Sequence, residues 1–176
     1  MLQQAAIDRC QSIPKHSILI LDGSGSMNSS YSDLIGAVNN YITEQTKRNG
    51  IISVVAFSSS ATVIRTLSNK TLSSMEGYDG GSTNFAAALN AAIPLIRSTP
   101  NGYSCCILFF TDGLPDCKPY QEYLDIIQSE NVTLNAIGFG SADRKVLDDL
   151  CQNGGKVSIG MTMADIAEIY REYAFS

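Results

Sequence analysis

The sequence predicts a doubly wound α/β fold: a mostly parallel six-stranded sheet with one antiparallel edge strand and helices on both faces. Two observations predict it. Short, continuous apolar runs alternate with amphipathic helical patterns along the chain, which is typical of parallel sheets covered on both faces. One pair of apolar runs is separated only by Ser58-Ser59-Ser60, a connection short enough for an antiparallel hairpin at a sheet edge.

The predicted strands are apolar runs bounded by turn residues. In chain order they cover residues 17–21, 51–57, 61–66, 104–111, 133–138 and 156–160. The first and last are short, and residues 70–81 between the third and fourth read as a loop.

The predicted helices carry apolar residues at helical spacing. They cover residues 32–48, 84–97, 120–130, 143–152 and 162–173. Asn49-Gly50 ends the first helix with a left-handed cap, and Thr162 with Asp165 forms a capping box for the last.

Composition narrows the class of protein. The chain has 176 residues, 44% of them hydrophobic, and a net charge of -5. This length predicts one domain over residues 1–176, with its core at about 16–173. The acidic balance argues against nucleic-acid binding, which requires a basic face. No apolar run of about 18 residues occurs, so we expect no membrane span, and we expect a monomer.

The cysteines indicate the redox environment. Their number, five, is odd, and none shows C-x-x-C spacing. Cys105 and Cys106 are adjacent in a predicted core strand, where free cysteines are common. The single histidine, His16, has no cysteine nearby in sequence, which argues against a zinc site. These features predict a reduced, cytoplasmic protein, and three Asn-x-Ser/Thr sequons leave an extracellular setting open.

The most specific pattern is Asp22-Gly23-Ser24-Gly25-Ser26, directly behind the apolar run 17–21. One carboxylate and two hydroxyls alternate on a tight turn that the glycines make sterically easy. Their oxygens can therefore converge on one point. Hard divalent cations such as Mg²⁺ take oxygen ligands in near-octahedral geometry, so this turn is a candidate metal site.

Two further segments supply donors for the same site. Thr83 follows Gly80-Gly81-Ser82 at the start of a predicted helix, and Asp112 follows the strand 104–111 as Asp22 follows the first strand. In a doubly wound sheet those two strands are neighbours at the topological switch point. Ligands bind there, outside the carboxyl ends of the strands.

At these residues the chain resembles the von Willebrand factor type A domain, also called the integrin I domain. The positions that match that family's metal-ion-dependent adhesion site (MIDAS) are Asp22, Ser24, Ser26, Thr83 and Asp112. The resemblance implies that these residues bind Mg²⁺, with Mn²⁺ or Ca²⁺ as alternatives. It also implies that the chain is a binding module and not an enzyme. In such a module an Asp or Glu carboxylate of a partner protein completes the coordination of the ion.

Two other functions remain open from the residues. In a Mg²⁺-dependent phosphatase or phosphotransferase, Asp22 would be the nucleophile, with Asp112 and Asp116 on the metal. Ser24 disfavours this reading, because an aspartate two residues after the nucleophile is the usual acid in that chemistry. A structural scaffold with a vestigial site is the third reading, and the intact set of five residues argues against it.

Single residues also have simpler interpretations. Thr83 is equally suited to be the N-cap of the following helix. His16 is expected to face solvent at the start of the first strand. An extended strand would set His16 about 20 Å from Asp22, too far for His16 to activate Ser24 or Ser26 as a nucleophile.

Overall fold

A computed structural model describes residues 13–176, and residues 1–12, which the predicted domain includes, lie outside the described part. The described strands form one sheet. In chain order they are β1 (Lys15–Asp22), β2 (Ile51–Phe57), β3 (Ala61–Ser68), β4 (Ser104–Thr111), β5 (Thr133–Phe139) and β6 (Val157–Gly160). Their spatial order is β3-β2-β1-β4-β5-β6. Neighbouring strands are parallel except β2 and β3, which are antiparallel. The predicted fold class is confirmed.

Helices cover both faces of this sheet. Those of the described chain are α1 (Tyr31–Lys47), α2 (Phe85–Arg97), α3 (Gln121–Ser129), α4 (Arg144–Leu150) and α5 (Met163–Phe175). The helices α1 and α5 pack on one face against Leu19 and Leu21 of β1. The helices α2, α3 and α4 pack on the other face against Ile18 and Ile20. Successive side chains of a strand point to opposite faces, so the unbroken apolar run of β1 fills both cores.

Element boundaries follow the predicted caps closely. Asn49 adopts a left-handed conformation, with φ of 59°, just beyond α1. Thr162 and Asp165 form the predicted capping box of α5. The edge strand β3 runs past its predicted end to Ser68 through an irregular register. A single 3₁₀ turn at Gly25–Met27 was not predicted.

The switch point lies between β1 and β4. These strands pair in parallel, with Leu21 opposite Phe110, one residue before each strand ends. The helix after β1 covers one face of the sheet, and the helix after β4 covers the other. The chain therefore diverges at this edge and leaves a crevice above it. Asp22 ends β1 and Asp112 follows β4 directly, so both carboxylates lie at this crevice.

The helices and cysteines of the described chain relate to two of the predictions made from composition. Between residues 13 and 176, no helix combines the length and apolarity that a membrane crossing requires. Four cysteines fall in that range, and all four are free thiols. Cys10 lies outside it, and the cytoplasmic localisation stays a prediction.

The expectation that His16 faces solvent is wrong. Its side chain is 0% exposed, with Nδ1 2.7 Å from Thr99 Oγ1 and Nε2 2.8 Å from Ser53 Oγ. Thr99 lies just beyond α2 and Ser53 lies in β2, so both partners are distant in sequence. Burial lowers the pKa of His16 to about 4. The ring is therefore neutral at pH 7, held between two hydroxyls.

This burial predicts a loss of stability in mild acid. The unfolded chain binds a proton at His16 near pH 6.5, whereas the folded chain does so only near pH 4. The free energy of unfolding should therefore fall as the pH is lowered through that interval, by about 3 kcal/mol from this residue at the lower end. Urea unfolding at several pH values measures this dependence.

The matched variant is His16→Gln, which retains polar atoms but does not titrate. Its free energy of unfolding should depend less steeply on pH than that of the wild type between pH 6.5 and pH 4. Parallel curves for the two proteins would contradict the expectation, whatever their absolute stabilities.

Candidate metal site

The turn after β1 folds around the carboxylate of Asp22. The backbone N–H of Ser24 donates to Asp22 Oδ1 at 2.9 Å. The 3₁₀ turn at Gly25–Met27 then brings Ser26 back, so that its Oγ lies 3.1 Å from Ser24 Oγ. The alternating residues of this turn thus present their side chains to one side, as the spacing predicts.

Asp112 joins this group from the neighbouring strand. The hydroxyl of Ser26 donates to Asp112 Oδ1 at 2.8 Å. Asp22, Ser24, Ser26 and Asp112 therefore form one connected chain of hydrogen bonds across the ends of β1 and β4. Four of the five predicted site residues are brought together in this way.

The segment that carries Thr83 is connected to the site by backbone hydrogen bonds, and no side-chain hydrogen bond within residues 13–176 joins Thr83 to the other four site residues. The N–H of Gly25 donates to the carbonyl of Gly81 at 3.0 Å, and the N–H of Gly80 donates to the carbonyl of Gly23 at 2.9 Å. The carbonyl of Thr83 accepts from the N–H of Asp116 at 2.8 Å. The segment that carries Thr83 is thus tied to the loops that follow both β1 and β4.

The N-cap of α2 is Asn84 and not Thr83. Asn84 Oδ1 accepts from the N–H of Ala87 at 3.0 Å. The interpretation of Thr83 as the cap is therefore wrong, because the side chain one position later makes the capping bond. The hydroxyl of Thr83 takes no part in the cap.

The electrostatics of Asp22 favour a bound cation. Asp22 is 0% exposed, and this burial raises the pKa of its carboxyl. Hydrogen bonds from Ser24 and Thr111 oppose the rise, whereas the nearby charge of Asp112 adds to it. Across residues 13–176, no ion pair involves either carboxylate. A buried carboxylate without a cationic partner is costly, and a metal ion would supply the missing charge.

The donor set also fits a hard cation. Nowhere in the described chain do three or more His, Cys, Asp and Glu side chains cluster in a way that could hold a metal. The candidate site therefore depends on hydroxyls together with two carboxylates. All of these donors are oxygen atoms, which suit Mg²⁺, Ca²⁺ or Mn²⁺ better than softer metals.

Sequence reasoning missed Thr111, the last residue of β4. Its buried Oγ1 donates to Asp22 Oδ2 at 2.6 Å and accepts from the N–H of Gly113 at 3.2 Å. Both oxygens of Asp22 are thereby hydrogen-bonded. The sequence feature that could have indicated Thr111 is a polar residue at the end of an otherwise apolar strand, directly before Asp112.

Asp116 is half-buried in the loop after β4. Its carboxylate accepts from the N–H of Lys118 at 3.0 Å. This side chain therefore shapes its own loop, and its backbone N–H, which binds Thr83, is its link to the site.

Comparisons with known proteins bear on the family and the fold of this chain. A family model described as von Willebrand factor type A domain matches residues 18–172. No curated protein sequence matches the chain. The matched range includes all five residues of the candidate site.

Solved structures with the same fold come from diverse sources. Proximal thread matrix protein 1 from the mussel byssus, in a form with a zinc-occupied MIDAS motif, has a TM-score of 0.75 at 19% identity over 93% of this chain and 48% of its own. The pilus adhesin SpaC of Lactobacillus rhamnosus GG has a TM-score of 0.77 at 13% identity, over 93% and 30%. A von Willebrand factor type A protein from Catenulispora acidiphila has a TM-score of 0.70 at 21% identity, over 93% and 42%. The chain thus spans less than half the length of each, and identities this low show the fold alone.

Thr111→Val tests the support of Asp22. Valine keeps the shape of threonine but leaves one buried oxygen of Asp22 without a donor. We expect a loss of about 1–3 kcal/mol in the free energy of unfolding, measured by urea unfolding in EDTA. In an Asp22→Ala background the same change should cost much less, because no carboxylate remains to be satisfied. An equal cost in both backgrounds would show that the hydroxyl acts elsewhere.

Proposed function

Because the chain belongs to the von Willebrand factor type A family, whose members commonly mediate protein interactions, we propose that it is a divalent-metal-dependent protein-binding module. The observation that carries the proposal is the buried carboxylate of Asp22, which lacks a cationic partner in the described chain and is linked by hydrogen bonds to further oxygen donors. A divalent cation at this point would neutralise Asp22 and Asp112 together.

The five site residues divide into two chemical roles. Ser24, Ser26 and Thr83 offer neutral hydroxyl oxygens to the ion. Asp22 and Asp112 supply negative charge, directly or through water. Mg²⁺ is the proposed ion because it prefers oxygen ligands and keeps open positions for water or a partner. Mn²⁺ and Ca²⁺ are the alternatives. In the mussel protein the motif is occupied by zinc, so a divalent ion other than Mg²⁺ binds there in that protein.

The open coordination position is where the partner would bind. Neutral hydroxyl ligands donate little charge, so the ion stays electrophilic toward an incoming anion. An Asp or Glu side chain of a partner protein is the anion that a protein surface can offer. The chain would bind this partner as a monomer.

The phosphatase alternative is disfavoured by the surroundings of Asp22. A nucleophilic carboxylate must reach the substrate, but Asp22 is 0% exposed and both of its oxygens accept hydrogen bonds. Ser24, two residues later, cannot act as the general acid. Mg²⁺-dependent hydrolysis of an aryl phosphate that is lost in Asp22→Asn would contradict the proposal.

Metal binding should stabilise the folded state alone, because the ligands come from three segments that are distant in sequence. At a metal concentration 100-fold above Kd, linkage gives about 2.7 kcal/mol. For a chain of this length that corresponds to a rise in Tm of about 5–10 °C. Thermal unfolding in EDTA and in saturating Mg²⁺ or Mn²⁺ measures it.

Asp22→Ala should abolish this rise in Tm. Asp22→Asn, which keeps the size of the side chain and removes its charge, should do the same. An unchanged wild-type Tm in both metals would count against the site.

Partner binding should depend on both the metal and its ligands. A pull-down from source lysate, with this chain as bait, should recover a partner in Mg²⁺ and lose it in EDTA. Thr83→Ala and Asp112→Ala should lose it as well. Asp125→Ala is a matched control, since it removes an exposed carboxylate of α3 that is not one of the five site residues.

The chemistry of the partner can be tested on the captured protein. Amidation of its carboxyl groups should prevent it from binding again. Capture that survives EDTA and Thr83→Ala would indicate binding through another surface.

A further inference from the structure

The hairpin between β2 and β3, Ser58–Ser60, lies directly against the segment that carries Thr83. We call these three residues the serine hairpin. They belong to the edge of the sheet and to none of the loops that supply the proposed metal ligands. Their contacts are nevertheless made with the residues on either side of Thr83.

On the amino-terminal side of Thr83, the contact is made by side-chain hydroxyls. The backbone N–H of Ser82 donates to Ser59 Oγ at 2.9 Å, and the hydroxyl of Ser82 donates to the same oxygen at 3.2 Å. A single hydroxyl, that of Ser59, thus holds both the backbone and the side chain of the residue before Thr83.

On the carboxyl-terminal side, the contact is made by the backbone of the hairpin. The N–H of Asn84 donates to the carbonyl of Ser58 at 2.8 Å, and Asn84 Nδ2 donates to the carbonyl of Ser59 at 3.1 Å. Both neighbours of Thr83 are thus hydrogen-bonded to the hairpin, and the carbonyl of Thr83 accepts from the N–H of Asp116.

The hairpin also lies close enough to Gly81 to meet a side chain placed there. A Cβ added to Gly81 would lie 2.4 Å from Ser59 Oγ and 3.1 Å from Ser58 Oγ. The absence of a side chain at Gly81 is therefore what lets the hydroxyl of Ser59 reach Ser82. The Ser58 hydroxyl, in turn, donates to the carboxylate of Asp79 at the start of the same segment.

We propose that Ser59 is a positioning residue, which sets the hydroxyl of Thr83 for the metal ion without touching the ion itself. This inference rests on the proposed function and adds to it a residue outside the five ligands. Mg²⁺ demands near-ideal octahedral geometry at short distances. A ligand held on a segment that can shift would bind it poorly, so the anchors beside Thr83 are expected to control affinity.

We expect the Ser59 contacts to contribute little to the stability of the fold. Ser59 and Ser82 are both exposed, so water can replace the hydrogen bonds between them when the hydroxyl is removed. The loss should therefore leave the fold largely unaffected and appear mainly in metal affinity. This difference separates a positioning role from a merely structural one.

The experiment compares Ser59→Ala with Ser60→Ala. Ser60 belongs to the same hairpin and is also exposed, and its contact with Ser58 is made by its backbone carbonyl, which the alanine retains. For wild type and both variants, Tm is measured in EDTA and across a Mg²⁺ titration. Fitting the rise of Tm with Mg²⁺ concentration to the linkage relation gives the concentration at which half of the sites are filled. The EDTA sample gives the stability of the metal-free fold.

We expect Ser59→Ala to raise the Mg²⁺ concentration at half-saturation about 10- to 100-fold, the usual effect of losing a residue that orients a ligand. Its Tm in EDTA should stay within about 4 °C of the wild type. Ser60→Ala should match the wild type in both measurements. Gly81→Ala should reproduce the effect of Ser59→Ala, because the added methyl group displaces the hydroxyl of Ser59.

Three outcomes would overturn the inference. The first is a Ser59→Ala titration that coincides with that of Ser60→Ala. The second is a large fall of the Ser59→Ala Tm in EDTA with unchanged half-saturation, which would mark a structural role. The third, a wild-type Tm that does not respond to Mg²⁺, would remove the proposed function itself and this inference with it, and it is recognised from the wild type alone.

Discussion

The pairing of β1 with β4 is the constraint on which the rest of the site depends. Because these strands are parallel and end together, Asp22 and Asp112 reach the same edge of the sheet. The helices that follow them leave toward opposite faces, so neither of these two helices covers the crevice between the strand ends. Two carboxylates are thus held close together by the backbone of the sheet, and the surrounding loops supply hydroxyls and N–H groups that accommodate them.

An aromatic cluster gives these loops a rigid base. The rings of Phe57, Phe85 and Phe109 lie 4.9–5.9 Å apart, centroid to centroid. Phe57 immediately precedes the serine hairpin, Phe85 begins α2 just after Asn84, and Phe109 lies two residues before Thr111. Close-packed interiors resist displacement, so the core fixes the backbone from which each polar contact of the site departs.

The fold and the grouping of polar side chains in the turn after β1 could be predicted because their signals are local. Apolar runs and helical spacing depend on neighbouring residues, and the turn after β1 places Asp22, Ser24 and Ser26 together by itself. The positions of His16, Thr111 and Ser59 could not be predicted in the same way. Each acts through a hydrogen bond to a residue distant in sequence, and such bonds depend on strand register and loop packing. The error over the N-cap of α2 has a similar origin. Whether Thr83 or its neighbour Asn84 caps the helix depends on how the loop packs against the hairpin.

The arrangement around Asp22 also links stability to function. Without a cation, the fold holds a buried carboxylate with hydrogen bonds from Thr111 and Ser24 but without an opposite charge among the described residues. A sequence selected for stability alone would replace Asp22 with a neutral side chain, since buried charges are costly unless paired. Functional sites are where such local conflicts are expected. The hydrogen bonds that satisfy both oxygens of Asp22 keep the conflict small enough for the sheet to form, and they leave its charge available to a cation. The same bonds fix the orientation of the carboxylate, so a cation that enters the crevice meets donors whose positions the fold has already determined.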